Sequence, residues 1–311
     1  MVRGTPGERT PADLLRFGVV NLDKPPGPSA HQVAGWVRDA VDDALDATGA
    51  GGIDRVAHGG TLDPKVTGCL PLLLGEATRC GQVFDDTTKE YVAVLELHGP
   101  APTDFEDTLE EFEGAIYQKP PRKSAVSRRL RVREIFELRV LERTDRQALL
   151  RIRCEAGTYV RKLCHDVGLA LGTGAHMGDL RRTATGTFDD TTLVTMEEVV
   201  DALAFWREGQ GDALEGVVDP AERALDGLAR VTVARSAARE VAHGAPVYAP
   251  GVLGVERPRR AGADGERAPL PGRSDLVACC TPDGSGVCLG RLVGDPEADS
   301  GEVVRLERVL V

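Results

Sequence analysis

The chain of 311 residues carries 49 acidic against 38 basic side chains, a formal net charge of −11, and 41% of it is hydrophobic. That is enough for a substantial core and for two domains, because single cores seldom grow beyond about 250 to 300 residues, and the composition excludes a disordered chain. The most apolar short run, Cys69 to Leu74, is broken by Pro71 and is far below the roughly 20 residues a membrane-spanning helix needs, while Met1 to Asp13 is polar with no signal-peptide stretch. A cytoplasmic protein without membrane contact is therefore expected. Cys69, Cys80, Cys154, Cys164, Cys279, Cys280 and Cys288 are scattered, with no paired Cys-x-x-Cys set, which predicts reduced thiols and neither a disulfide framework nor a structural metal site.

In chain order, Phe17 to Leu22 predicts a short buried strand that stops at Lys24-Pro25-Pro26-Gly27. Lys24 by itself reads as a solvated lysine, and only the family resemblance carried by the motifs below implies a rigid support for the neighbouring loop. Ser29 with Gln32 makes a capping box, and Val33, Trp36, Val37, Ala40 and Val41 recur at helical spacing, so Trp36 is expected in the core. Small residues from Ala47 to Gly52 end that unit. Next comes the stretch His58-Gly59-Gly60-Thr61-Leu62-Asp63-Pro64. Its two glycines permit tight or positive-φ backbone, Pro64 fixes φ, and Asp63 is pushed to extended geometry by the proline after it. Taken alone, Asp63-Pro64 reads either as the start of a turn or as a carboxylate presented on a rigid loop.

Tyr91 to Leu97 is rich in Val and Leu and predicts a central strand, with Tyr91 at its start. Thr103 to Gly114 is acidic and is expected as surface helix or loop. Leu130 to Val140 and Ala148 to Cys154 alternate arginine with Leu, Val and Ile, which predicts a hairpin with one packed and one charged face. Thr158 is expected to cap a helix that buries Val160, Leu163, Cys164, Val167 and Leu171 and leaves Arg161 off that face. A cation near a helix start is poorly placed for the dipole, which points to a carboxylate partner, although an ordinary surface arginine also fits. Thr195 and Glu198 form a second capping box before Val199, Leu203 and Trp206. Composition changes near Asp226. From Ala229 onward, Val-rich runs between Gly and Pro predict a compact all-β module, with Val277 to Cys280 and Val287 to Val293 as later strands and Glu256 to Arg273 as a Pro-, Gly- and Arg-rich insertion. Two domains are thus expected, residues 1–228 and 229–311, with the extension of about residues 1–16 packed on the second.

The Gly-Thr-Leu-Asp-Pro loop at Asp63 resembles the catalytic motif of the TruB/dyskerin family of RNA pseudouridine synthases. The resemblance extends in family order through Asn21-Leu22-Asp23-Lys24-Pro25, Lys89-Glu90-Tyr91, Gln118-Lys119-Pro120-Pro121, Ser124-Ala125-Val126, Gly157-Thr158-Tyr159-Val160-Arg161 and Leu180-Arg181-Arg182. The long Ser124 to Arg133 form, with Cys164-His165-Asp166, is similar to the archaeal and eukaryotic dyskerin-type branch. The run Val231 to Val252 resembles the start of a PUA domain, and the 256–273 insertion departs from that pattern.

What the resemblance implies is an α+β fold: a mixed, largely antiparallel central sheet flanked by helices, plus a small C-terminal β-barrel. It implies Asp63 as the catalytic carboxylate, Arg161 as its ion-pair partner and Tyr91 as the ring that stacks on the target base. Tyr159, Leu180 and His58 would line the base pocket. Whether Asp63 attacks the sugar, adds to the base or takes a sugar proton is left open. No cofactor is implied, and the sequence holds no Walker-type loop, no G-x-G-x-x-G and no His/Cys ligand set. The implied partners are an H/ACA guide RNA, rRNA and tRNA targets, small H/ACA core proteins and a kink-turn-binding protein.

Net acidity runs against RNA binding, but the charge is unevenly placed. Lys119, Arg122, Lys123, Arg128, Arg129, Arg131 and Arg133 lie in a stretch with no acid, and a charge acts over only about 10 Å in salt. Lys119, Arg122, Lys123, Arg128 and Arg129 are the expected RNA contacts. The abundance of acids and the scarcity of lysine suggest a salt-loving cytoplasm, although a GC-rich genome would also favour Arg over Lys, and the resemblance to the dyskerin-type branch implies an archaeal one. Two rivals stand beside the guide-dependent enzyme: a synthase that acts alone on the T-loop of tRNA, and an RNA-binding scaffold without activity.

Overall fold

The computed structural model describes residues 3–120, 127–256, 258 and 275–311. Arg122, Lys123, the Ser124-Ala125-Val126 segment and all of the 256–273 insertion except Glu256 and Pro258 lie outside the described residues. Among the described residues sixteen strands are formed. The first ten are β1 (Gly18–Lys24), β2 (Val56–His58), β3 (Thr67–Leu74), β4 (Lys89–Leu97), β5 (Gly114–Gln118), β6 (Arg131–Arg143), β7 (Gln147–Cys154), β8 (Ala175–Thr185), β9 (Phe188–Asp189) and β10 (Asp219–Pro220). They make one sheet in the order β10-β1-β3-β8-β4-β7-β6-β5, with β2 beside β3 and β9 beside β8. Every pairing is antiparallel except β3 with β8. This is the mixed, largely antiparallel sheet of the expected α+β class.

Three longer helices pack their apolar stripes with this sheet into one core: α2 (Ala30–Ala47), α4 (Val160–Ala170) and α5 (Met196–Arg207). Shorter α1 (Pro11–Arg16) and α3 (Phe105–Glu110) join them, and α6 (Arg235–Ala242) belongs to the second sheet's core. The capping boxes Ser29/Gln32 and Thr195/Glu198 are both closed, side chain to backbone in each direction. Two local expectations are corrected. Trp36 is not core but 50% exposed: the buried stripe of α2 runs through Ala30, Val33, Ala34, Val37, Val41, Ala44 and Leu45, and at about 100° per residue Trp36 falls about 120° from its centre. Thr158 does not cap α4. Its hydroxyl donates back to the Glu155 carbonyl at 2.7 Å, and Tyr159 occupies the cap position without a side-chain bond.

The remaining strands, β11 (Ala229–Val233), β12 (Val247–Tyr248), β13 (Val252–Glu256), β14 (Leu276–Cys280), β15 (Gly286–Leu292) and β16 (Glu302–Val309), form a six-stranded sheet in the order β12-β16-β15-β14-β11-β13. Its two end strands are consecutive in the chain, joined by the three residues Ala249–Gly251. A flat sheet would hold them about 24 Å apart at about 4.8 Å per strand, beyond the reach of so short a link, so the sheet has to curl on itself. Phe17, Val19, Leu73 and Phe84 share a buried cluster with Ala278, Cys280, Leu289 and Leu310, which joins the two sheets. At the same junction, buried Glu222 accepts from Arg9 at 2.6 and 2.8 Å and from the Gly286 N–H at 2.9 Å, while Arg3 donates to the Leu310 carbonyl. All seven cysteines are free and buried. Among the described residues, no helix is long and apolar enough to cross a membrane.

Candidate active site

β2 and β3 pair antiparallel, with His58 opposite Leu72, so the segment from Gly59 to Val66 is the loop between neighbouring strands. Gly60 turns it with φ 117°, a left-handed value that side chains rarely adopt. Leu62 and Val66 point into the core while Asp63, Pro64 and Lys65 face outward. Three groups hold the loop from below. The Gly27 N–H donates to the Pro64 carbonyl at 2.8 Å, and the Val66 N–H closes a turn on the Asp63 carbonyl at 2.9 Å. Fully buried Lys24 donates to the carbonyls of Pro25 at 2.9 Å, Pro64 at 3.1 Å and Val66 at 2.8 Å. Of its two readings, solvated or supporting, the structure selects support. Burial alone pushes its amine below the ordinary lysine value.

Arg161 lies in the first turn of α4, off the buried face, and its guanidinium donates to the Asp63 carboxylate across 98 residues of sequence. Both side chains are more than half exposed, at 56% and 54%. An exposed pair contributes only about 0 to 1 kcal/mol to folding, so the contact does little for stability. The start of α4 is fixed from a distant strand. Buried Gln118, at the end of β5, accepts from the Tyr159 N–H at 2.9 Å and donates to the Tyr159 carbonyl at 3.2 Å. This fork replaces the absent cap and sets Tyr159 and Arg161 beside the loop.

Beneath the pair, Tyr91 on β4 stands opposite Arg182 on β8, and Arg182 in turn is paired with Gly68 at the start of β3. Tyr91 is 9% exposed and shares a cluster with Leu62, Val66 and Leu180. Burial pushes its phenol upward, opposed by Arg182. Arg182, 1% exposed, donates to the carbonyls of Cys69 at 2.7 Å and Gly60 at 3.1 Å. Lys89, next to it, donates to Phe84 O at 3.0 Å, Thr87 Oγ1 at 2.7 Å and Thr185 Oγ1 at 2.5 Å. Burial, with Arg182 as a like charge, takes the Lys89 amine down to about 7. His58 is half-buried, its ring pushed below the usual histidine value by burial, with Arg182 and His31 adding repulsion.

The structure thus unites Asp63 with Arg161 directly and gathers Tyr91, Leu180, Tyr159 and His58 on the elements around them. Lys119, Arg128 and Arg129 are exposed, and Arg128 donates to the Pro120 carbonyl at 3.0 Å. Arg182 and Lys89 escaped the sequence reading as site residues. The signal for both was a cation inside a strand whose neighbours are core. Among the described residues, no group of three or more His, Cys, Asp or Glu could hold a metal ion.

Residues 49–105 match the N-terminal domain of TruB family pseudouridylate synthases, and residues 161–226 match the C-terminal domain of tRNA pseudouridylate synthase B. Residues 4–34 match the DKCLD domain. Over 310 residues the chain is 62% identical to a probable tRNA pseudouridine synthase B of Haloarcula marismortui, covering 100% of this chain and 94% of that one. The chain belongs to the TruB family of pseudouridine synthases. A TruB relative in Pyrococcus furiosus, also described as a probable tRNA pseudouridine synthase B, is 41% identical over 316 residues, covering 99% and 86%. A crystal structure of a Cbf5-Nop10-Gar1 complex contains a chain with TM-score 0.87 and 39% identity, covering 100% of this chain and 90% of that one. A chain in an H/ACA RNP bound to a substrate RNA containing 2'-deoxyuridine gives TM-score 0.85 at 38% identity with the same coverage.

Proposed function

We propose that this chain is an RNA pseudouridine synthase, an isomerase that converts uridine to pseudouridine in rRNA and tRNA as the catalytic subunit of an H/ACA guide-RNA particle. The observation that carries the reading is the Asp63 carboxylate, exposed on a loop held from below and met by Arg161, in a chain of the TruB family. The reaction breaks C1′–N1, forms C1′–C5 and moves the C5 proton away as N1 gains one, so product and substrate are isomers. The uridine leaves its stack to reach such a site. Asp63 acts on the nucleotide as nucleophile or base, Arg161 keeps it ionised and aimed, and Tyr91 lies against the extruded base with Tyr159, Leu180 and His58 around it.

Residues 1–228 serve as the synthase domain and 229–311 as a PUA RNA-binding domain, a division supported by the change of sheet at Ala229 and by the curl of the second sheet. Lys119, Arg122, Lys123, Arg128 and Arg129 supply phosphate contacts. Small core proteins and a kink-turn-binding protein complete the particle, a reading supported by the likeness to chains solved with Nop10, Gar1 and substrate RNA. A salt-rich archaeal cytoplasm suits the charge of −11 and the Haloarcula and Halobacterium relatives.

Tritium release from C5-labelled uridine in RNA tests the proposal. Asp63→Asn is expected to lower release more than about 1,000-fold while RNA binding stays nearly intact, and equal release from both proteins overturns the assignment. The names of the relatives favour a second reading, unaided action on tRNA. Release from a tRNA transcript by the protein alone would establish that activity, and release only with guide and partner proteins would remove it.

A further inference from the structure

Arg182 is a fully buried cation that forms no ion pair among the described residues. Such a group is costly in a protein interior unless its donors are all well directed. Those donors reach two separate pieces of the site, and a third stands beside them. One arm binds the Gly60 carbonyl at the root of the Asp63 loop, the Nε–H binds the Cys69 carbonyl on β3, and Tyr91 on β4 is the cross-strand partner of Arg182. The sheet register enforces this placement, because Gly68, Arg182 and Tyr91 are aligned across three adjacent strands. A Cβ at Gly68 would collide with the Arg182 carbonyl, so glycine there lets β3 and β8 close up. Lysine is a poor replacement, since it lacks the rigid fork with which the guanidinium reaches two separate carbonyls from different nitrogens.

The geometry points to Arg182 as a positioning residue for the isomerisation: it ties the root of the Asp63 loop to β3 and β8, beside the strand that carries Tyr91, so that carboxylate and aromatic ring meet the same nucleotide. This rests on the roles proposed for Asp63 and Tyr91 and adds the device that couples them. Lys24 fixes the far end of the loop, at Pro64 and Val66, and Arg182 fixes the near end, at Gly60. The loop is therefore anchored by one buried cation on each side of Asp63.

Arg182→Lys keeps the charge and removes the fork. Turnover by this variant is expected to fall about 100-fold, because a misplacement of about 1 Å costs that much, while KM and RNA affinity stay within about threefold. Turnover within threefold of the unaltered protein, or a loss carried by KM, overturns the proposal. Should Arg182→Lys not fold, Arg182→Gln provides the second test. An amide without the guanidinium's reach frees the Gly60 carbonyl, so amide hydrogen exchange at Gly60 to Leu62 should quicken severalfold while exchange in β14 and β15 stays constant. Unchanged exchange in the loop would show that Arg182 does not hold it. Failure here, with Asp63→Asn inactive, sinks only the role of Arg182; an active Asp63→Asn sinks the function reading itself.

Discussion

The rim and the floor of the site use the same partners, cations and oxygens, to opposite ends. At the rim, Arg161 meets a carboxylate in the open, where both members remain half in water. On the floor, Lys24, Lys89 and Arg182 are buried, and the oxygens they meet are carbonyls and hydroxyls. An exposed ion pair adds little to folding, whereas stripping a buried donor strands its acceptors at about 1 to 3 kcal/mol each. The contrast teaches that the rim is arranged for reaction and the floor for shape.

Substitutions that separate activity from stability put this contrast at risk. The largest effect is expected at the rim: Arg161→Ala should cut uridine isomerisation at least about 100-fold while changing unfolding free energy by less than about 1 kcal/mol, read by tritium release beside chemical denaturation. Comparable losses in both measurements would erase the distinction. Lys24→Met should do the reverse in proportion, destabilising by about 2 kcal/mol because the Val66 carbonyl loses its donor and the Pro64 carbonyl keeps only the Gly27 N–H, with a smaller activity loss of about tenfold.

Lys89 sharpens the picture through pH. Its amine is lowered by burial from 10.5 to about 7, so across that interval the unfolded chain binds a proton that the folded chain lacks. Stability should therefore rise with pH between these values, by at most about 1.4 kcal/mol per unit, and be lost as pH falls toward the folded value. Denaturation of Lys89→Met in parallel should show a flatter profile; identical slopes would mean that the lysine is charged when folded. The smallest effect is expected at Trp36→Ser, within about 0.5 kcal/mol, since the ring stands half in solvent.

The hairpin of β6 and β7, both capping boxes and the buried face of α4 were legible because each is encoded within a few residues: alternation in β7, Ser29 with Gln32, and the spacing of Val160, Leu163 and Val167, whereas the large sheet as a whole followed only from the family resemblance. The position of Arg161 at a helix start fitted a carboxylate partner or an ordinary surface arginine equally in kind, and only the family resemblance named Asp63 as its partner. Trp36 misled because spacing from Val33 and Val37 leaves the stripe's edge undefined, and Ala34, Val41 and Leu45 extend the buried face on the side away from it. Thr158 misled because the group that satisfies the start of α4 is Gln118, which lies 41 residues earlier, and no local pattern encodes such a partner. Arg182 remained hidden for the same reason, its acceptors being 113 and 122 residues away.

Glu222 receives Arg9 from one end of the chain and the Gly286 amide from near the other. In synthesis from N to C, Arg9 emerges long before Gly286 exists, so its carboxylate berth is completed only near the end of translation. The early segment then waits beside a half-built socket, and the last strands to be made finish a job the first residues began.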